Sequence, residues 1–423
     1  MERGPRQGTS IEAPLLVVIG GTSGHRMYHE YLLAAISSEY RIHLVDRLER
    51  TWVSPYIVGN TVVSTTDLET VCGVVTEIAS RERIQGVLSW HETTVHQTAA
   101  IAERLGLATT PAEAIWRCRD KYRSRCALDL MKVPQPEFDL AGTVEEALAS
   151  AERIGYPVVV KPRAAAGSYG VSLVCSPKEM ADRFEFARRT TIPHAPEYDR
   201  TVLVEEFLDG HEVSIDSAVI NGDVHPVFIG HKRTGYPPYF EEIGHVVSHD
   251  DRLLADSEFL DLLQQTHTAL GFTSGWTHTE AKLSASGGAK IIEVNARLGG
   301  DMIPYLGMAA SGINPGLVAA AVACGRSPEI NAERELVGGV RFFHVEHSNT
   351  VIGSVEFDTA VLPEQIDKAG VLVAPGDVVS PPPQGLRHGR IAYATAVAAS
   401  AEACEAALDS AGAALRVTVR DGP

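Results

Sequence analysis

The chain has 423 residues, room for roughly two to four domains and a core that needs no metal or disulfide staples. Hydrophobic residues make up 44% and charged residues 22%, which excludes wholesale disorder. Lys plus Arg number 37 against 54 for Asp plus Glu, a formal net charge of −17, so neither nucleic acid nor an anionic membrane is expected as a partner, although a local basic pocket for a phosphate ligand stays open.

The six cysteines are scattered with no C-x-x-C pair, the pattern of reduced thiols in a cytoplasmic protein. Residues 1–14 are polar, without the apolar core of a signal peptide, and read as a disordered arm. Leu15 to Ile19 is an apolar strand running into Gly20-Gly21-Thr22-Ser23-Gly24, followed by a helix from Met27 to Ser37. Arg41 to Val45, closed by Asp46, and Gln85 to Trp90 are further strands, the latter followed by a helix from Thr93 to Leu105. Such alternation predicts a parallel sheet with helices on its faces, ending near Pro111. The glycine turn lacks G-x-G-x-x-G spacing and reads as structural or substrate-facing rather than dinucleotide-binding.

From Asp120 to Leu140 the chain is helical, then extended. Thr143 caps a helix to Ile154, with Glu146 completing a capping box. Tyr156–Lys161, Val202–Leu208 and Val213–Ile220 are strands. Gly230–Asp251, rich in Gly, Pro and His, reads as a functional loop. Gly307–Gly325 is small and apolar, but Asn314 and Pro315 make it a buried helix rather than a membrane span. After Arg326, short strands and a helix from Ala401 to Ala411 form a small α+β unit.

The most informative region is a β-hairpin, Thr277–Leu283 and Lys290–Arg297, joined by Ser-Ala-Ser-Gly-Gly-Ala. Alternation puts Glu293, Asn295 and Arg297 on one face and Ile292, Val294 and Ala296 on the other. Symmetric pairing about the loop centre sets Glu280 opposite Glu293 and His278 opposite Asn295. Two facing carboxylates repel, and a divalent cation removes the penalty. Carboxylate and amide oxygens suit Mg²⁺ or Mn²⁺ rather than Zn²⁺. Arg297 and Lys282 are the charges able to balance the pair without an ion. Upstream, Lys161 ends a buried strand and is followed by Ala164-Ala-Ala-Gly-Ser-Tyr-Gly-Val171, small residues that let backbone N–H groups approach phosphate and let a lid close.

In order, Asp120-Lys121, Val-Val-Val-Lys161-Pro, the glycine-rich loop, Glu205-Glu-Phe-Leu-Asp-Gly-His-Glu212, His278-Thr-Glu280 and Glu293-Val-Asn-Ala-Arg297-Leu-Gly-Gly-Asp301 resemble the ATP-grasp superfamily, most closely its carboxylate–amine ligase branch with the L-amino acid ligases. The resemblance implies an α/β and α+β protein: a Rossmann-like pre-ATP-grasp domain at 15–111, a central ATP-grasp domain at 112–328 and a C-terminal α+β domain at 329–423. It implies that Lys121 and Lys161 bind ATP phosphates under a lid holding Ser168 and Gly170. Main-chain groups of Glu205 and Phe207 would meet adenine, and Glu212 the ribose. Glu280, Glu293 and Asn295 would hold two Mg²⁺ ions, with Mn²⁺ as a substitute, while Arg297 would stabilise the transferring phosphoryl group. His245, in Phe240-Glu-Glu-Ile-Gly-His245, is placed beside an amino-acid substrate. Asp301 is a candidate anchor for a substrate amine, or simply the N-cap of the helix that follows. Some dipeptide ligases carry a bulky residue at the Asp301 position, so a small acid implies a different substrate pocket. The implied activity joins a small-molecule carboxylate to an amine through an acyl phosphate, in a homodimer by analogy. Its rivals are a bicarbonate-activating carboxylase and a non-catalytic nucleotide-binding module.

Overall fold

The computed structural model describes residues 13–22, 24–191, 200–284 and 287–420. Most of the expected N-terminal arm, Ser23 and the hairpin tip at 285–286 lie outside them.

Four sheets organise the described residues. The first is parallel, in the order Gly59–Val62, Arg41–Asp46, Leu15–Ile19, Ile84–Leu88. Leu15–Ile19 is buried along its whole length, as a central parallel strand covered on both faces must be. The expected helix at 27–37 is instead a 3₁₀ turn, Arg26–Tyr28, then an α-helix, Glu30–Ile36. The helix Leu68–Arg81 and the strand Gly59–Val62 carried no signal strong enough to be read.

The second sheet is small and antiparallel: Phe138–Ala141, Val202–Glu206, Val158–Pro162, Ser172–Val174. The helix Val144–Ile154 packs on it. Thr143 accepts the Glu146 N–H at 3.2 Å as a capping box requires, while the Glu146 carboxylate reaches the Gly142 N–H at 2.7 Å.

The third sheet has eight strands, all antiparallel: Ala289–Asn295, Gly275–Leu283, His211–Ile220, Asp223–Gly235, Glu241–Ser248, Val337–His344, Arg390–Ala398 and Ile366–Val371. Val202–Glu206 and His211–Ile220, four residues apart, therefore belong to different sheets. The stretch 230–251 is not a loop. It is most of a hairpin whose turn spans 236–240, and its Gly, Pro and His hid an alternation that buries Phe228, Gly230 and Lys232 on one side. The sheet runs on past residue 328 without a break, so the three-segment division at 111 and 328 is retained as a proposal about chain segments. The fourth sheet is Val378–Val379, Thr350–Phe357 and Leu415–Arg420, with the helix Ala401–Ala414 beside it in sequence.

The apolar stretch at 307–325 lies within two helices, Ile303–Ser311 and Pro315–Ala323, meeting at 107° with Asn314 capping the second. No single helix among the described residues is long and apolar enough to cross a membrane. Gly307 lies against the Phe228 ring, where a Cβ would intrude. Gly307→Ala should therefore cost about 1–3 kcal/mol by overpacking. Gly73→Ala, on a helix with open space around the site, should instead stabilise by about 0.5–1 kcal/mol. Urea unfolding of the two variants checks both signs.

Candidate active site

The facing carboxylates set the centre of the site. Glu280 and Glu293 are Cα partners on adjacent strands, and His278 partners Asn295. Symmetric pairing ends there: an irregularity after Glu280 sets Ala281 against Ile291 and Lys282 against Lys290. Each carboxylate is matched by a lysine from elsewhere. Lys121 Nζ, at the start of the helix Lys121–Leu130, lies 2.9 Å from Glu293 and 2.8 Å from the Ala165 carbonyl. Lys232 Nζ lies 2.7 Å from Glu280 and 3.1 Å from both Glu212 and Glu242. The expected counter-charges do otherwise: Lys282 pairs with Glu212 at 3.4 Å, and Arg297 donates to Glu92 at 2.5 Å.

Lys232 and Glu92 are the charged partners of the candidate site that sequence reasoning missed. Lys232 was hidden in the stretch read as a loop. Glu92 follows the end of Ile84–Leu88, and ligands of open α/β sheets gather beyond the carboxyl ends of strands. That position was the available signal.

Lys121, Glu212, Glu242, Glu280 and Glu293 line one cavity of about 920 Å³, open at its mouth, between the small sheet and the eight-stranded sheet, while Lys232 and Glu92 contact its lining residues from outside it. Lys121, Lys161, Ser168, Glu205, Phe207 and Glu212 lie on its wall. Glu280, Glu293, Asn295 and Arg297 complete it. Gly170, His245 and Asp301 lie outside the lining. Gly170 keeps a left-handed φ of +77° against Pro162 and Thr190, where a side chain would collide, so it fixes the turn that ends the glycine-rich loop.

At one end of the cavity Glu205 is held by Arg125 at 2.8 Å and Lys161 at 2.6 Å. Burial alone would raise its pKa; the two cations outweigh burial and hold it at about 2. Its side chain is thus committed inward. Glu205 ends a strand of the small sheet whose last residue is Glu206, and Phe207 opens the four-residue crossing to the large sheet. At the other end, burial would favour neutral forms of Lys232 and Glu280. The attraction of Glu242, Glu280 and Glu212 wins at the lysine and that of Lys232 and His278 at the glutamate, raising the first and lowering the second well beyond their usual values.

Asp301 is not the N-cap of Ile303–Ser311; Met302 stands there without a side-chain cap bond. The Asp301 carboxylate instead accepts from Arg387 at 2.5 Å and from Arg390 at 2.9 and 2.8 Å. Both oxygens are engaged, which leaves little for a substrate amine. His245 is buried on the strand Glu241–Ser248, with Nε2 at 3.2 Å from Glu242 and 3.7 Å from Asp301. These three could offer ligand atoms within 4.8 Å of one another, but Lys232, Arg387 and Arg390 crowd them with positive charge. Glu280, Glu293 and Asn295 suit a hard divalent cation better: they are all-oxygen donors lining the open cavity, and the ion pairs of Lys232 and Lys121 fall on Oε1 of each glutamate.

Residues 154–305 match the ATP-grasp domain family. The chain is 27% identical over 258 residues to the alanine–anticapsin ligase of Bacillus subtilis, which covers 56% of this chain and 54% of that protein. It is 30% identical over 284 residues to the uncharacterized protein y4rH of Sinorhizobium fredii, covering 66% and 55%. The chain thus spans about half the length of these curated relatives. Among solved structures, the L-amino acid ligase from Bacillus licheniformis superposes with a TM-score of 0.78 at 22% identity, covering 96% of this chain and 99% of that one. That likeness extends the shared fold across all four sheets.

His278 supplies a pH test. Burial would lower its pKa, but Asp216 at 3.1 Å outweighs burial and raises it from 6.5 to about 9. A raised folded-state pKa contributes stability that is complete below pH 6.5 and lost as pH rises through about 9. The melting temperature should fall across that window. His278→Asn should flatten the fall, since Asp216 keeps its bonds from Trp276 and the Gly299 N–H.

Proposed function

We propose that this chain, a member of the ATP-grasp superfamily, is an ATP-dependent carboxylate–amine ligase that forms an amide, with an amino-acid or peptide-like product, and releases ADP and phosphate. The observation that carries the reading is the Glu280–Glu293 pair, set face to face on one cavity wall with Lys121, Lys161 and Arg297 around it.

A carboxylate is a poor electrophile because oxide is a poor leaving group. Attack of a carboxylate oxygen on the γ-phosphorus breaks the bond to ADP and forms an acyl phosphate. The amine then attacks the acyl carbon, and phosphate leaves. The first step brings an anion towards a polyanion, so its barrier is largely electrostatic. In our reading Lys121 and Lys161 bind the phosphates, and Arg297, held by Glu92, meets the transferring group. Glu280, Glu293 and Asn295 would hold Mg²⁺, most simply two ions and with Mn²⁺ as a substitute, supplying further neutralisation there. Main-chain groups of Glu205 and Phe207 would receive adenine, with Glu212 at the ribose. The lid with Ser168 and Gly170 excludes water from the acyl phosphate. His245 belongs beside the amine-side substrate, and Asp301 acts there through Arg387 and Arg390. We further infer a cytoplasmic homodimer acting on small molecules; free cysteines throughout the described residues support the compartment.

ADP release should require a divalent cation together with an amino acid, and a screen of amino acids singly and in pairs, with product mass measured, identifies the pair. Hydroxylamine should trap a hydroxamate from the amino acid; bicarbonate-dependent turnover without one would favour a carboxylase. Glu293→Gln should lower kcat by about 10²-fold or more, as should Arg297→Ala, the latter with KM for ATP little changed. Full activity in Glu293→Gln overturns the reading.

A further inference from the structure

The 3₁₀ turn Leu386–Gly389, far from the matched residues 154–305 in sequence, touches the phosphate lid twice. A Cβ on Gly167 would lie 2.8 Å from Cδ and 2.9 Å from Nη1 of Arg387. The Tyr169 ring lies 5.9 Å from that of His388. The approach needs the bare backbone of Gly167, at φ +65°, and the left-handed Ser168 beside it, at φ +57°. The Tyr169 hydroxyl is buried and has no hydrogen-bond partner among the described residues. Arg387 also reaches the other way, donating from Nη2 to Asp301 at 2.5 Å. Asp301 follows Arg297 by four residues, and Arg297 lines the cavity. One guanidinium thus spans from the lid to the segment that carries the phosphoryl-facing arginine. A planar fork can face two ways at once; an ammonium on a flexible stem cannot.

We propose that Arg387 is a positioning residue that clasps the phosphate lid to the Arg297–Asp301 segment, so that lid closure and the geometry of the reacting end are set together. This rests on the ATP-dependent reading above. Truncating Arg387 strands no buried charge, because Asp301 keeps both bonds from Arg390 and the Arg387 side chain is 34% exposed.

The test uses the full chain with ADP and Mg²⁺ as the probe, reading hydrogen exchange over residues 164–171, and then ADP released per amide formed during turnover. Nucleotide should protect the lid of the wild-type protein. Arg387→Ala should lose at least half of that protection, raise KM for ATP by about tenfold with a smaller fall in kcat, and release more ADP per amide as water reaches the acyl phosphate. Arg387→Lys should keep the wild-type melting temperature yet lose protection too, and it carries the test if the alanine variant melts early. Lid protection decides: wild-type protection in both variants overturns the clasp and leaves the ligase reading standing. Absence of protection in the wild-type protein overturns both.

Discussion

Two glutamates held face to face on neighbouring strands are the constraint around which the site is arranged. Like charges directly opposite destabilise a hairpin, and here they are also partly removed from water. The fold answers with cations from distant segments: Lys121 from a helix ahead of the small sheet, and Lys232 from the fourth strand of the large one. Lys232 serves three carboxylates, and each has a second basic neighbour, Lys282 at Glu212, His245 at Glu242 and His278 at Glu280. Ionic balance at the cavity floor therefore ties together parts of the chain that share no strand.

The same balance explains why the cleft sits between two sheets. The small sheet contributes Lys161 and Glu205, already neutralised with Arg125; the large sheet contributes the acidic wall. The crossing between them takes only the four residues Phe207–Gly210, so both walls meet at one short covalent joint. Lys121 joins the glycine-rich loop to the hairpin by reaching the Ala165 carbonyl and Glu293 together, and the glycines of that loop lie where backbone must pass close to other chain.

Much of this was legible in the amino-acid sequence because hairpin register follows from alternation. The opposition of Glu280 and Glu293 needed only two strands and a loop centre, and the capping box at Thr143 needed only local spacing. What was hidden depended on non-local pairing. Lys232 sits among Gly, Pro and His, whose propensities argue for a loop, and it becomes a strand residue only because Glu241–Ser248 and His211–Ile220 flank it. The engagement of Asp301 by Arg387 and Arg390 could not be read at all, since those partners lie more than eighty residues away. Arg297 was expected to balance the glutamate pair or to meet the transferring phosphoryl group, and its bond to Glu92, just beyond the parallel strand Ile84–Leu88 and over two hundred residues away, could not be read.

The unbroken eight-stranded sheet makes the recognisable stretch 154–305 something less than a module. Excised at those borders, it would forfeit Lys121 and leave Glu293 without its counter-ion. It would also bare the backbone of Glu241–Ser248, which pairs with Val337–His344, as an open edge inviting strand-to-strand aggregation. Boundaries drawn by similarity and boundaries drawn by folding need not coincide, and in this chain they part company by a strand on one side and a charge on the other.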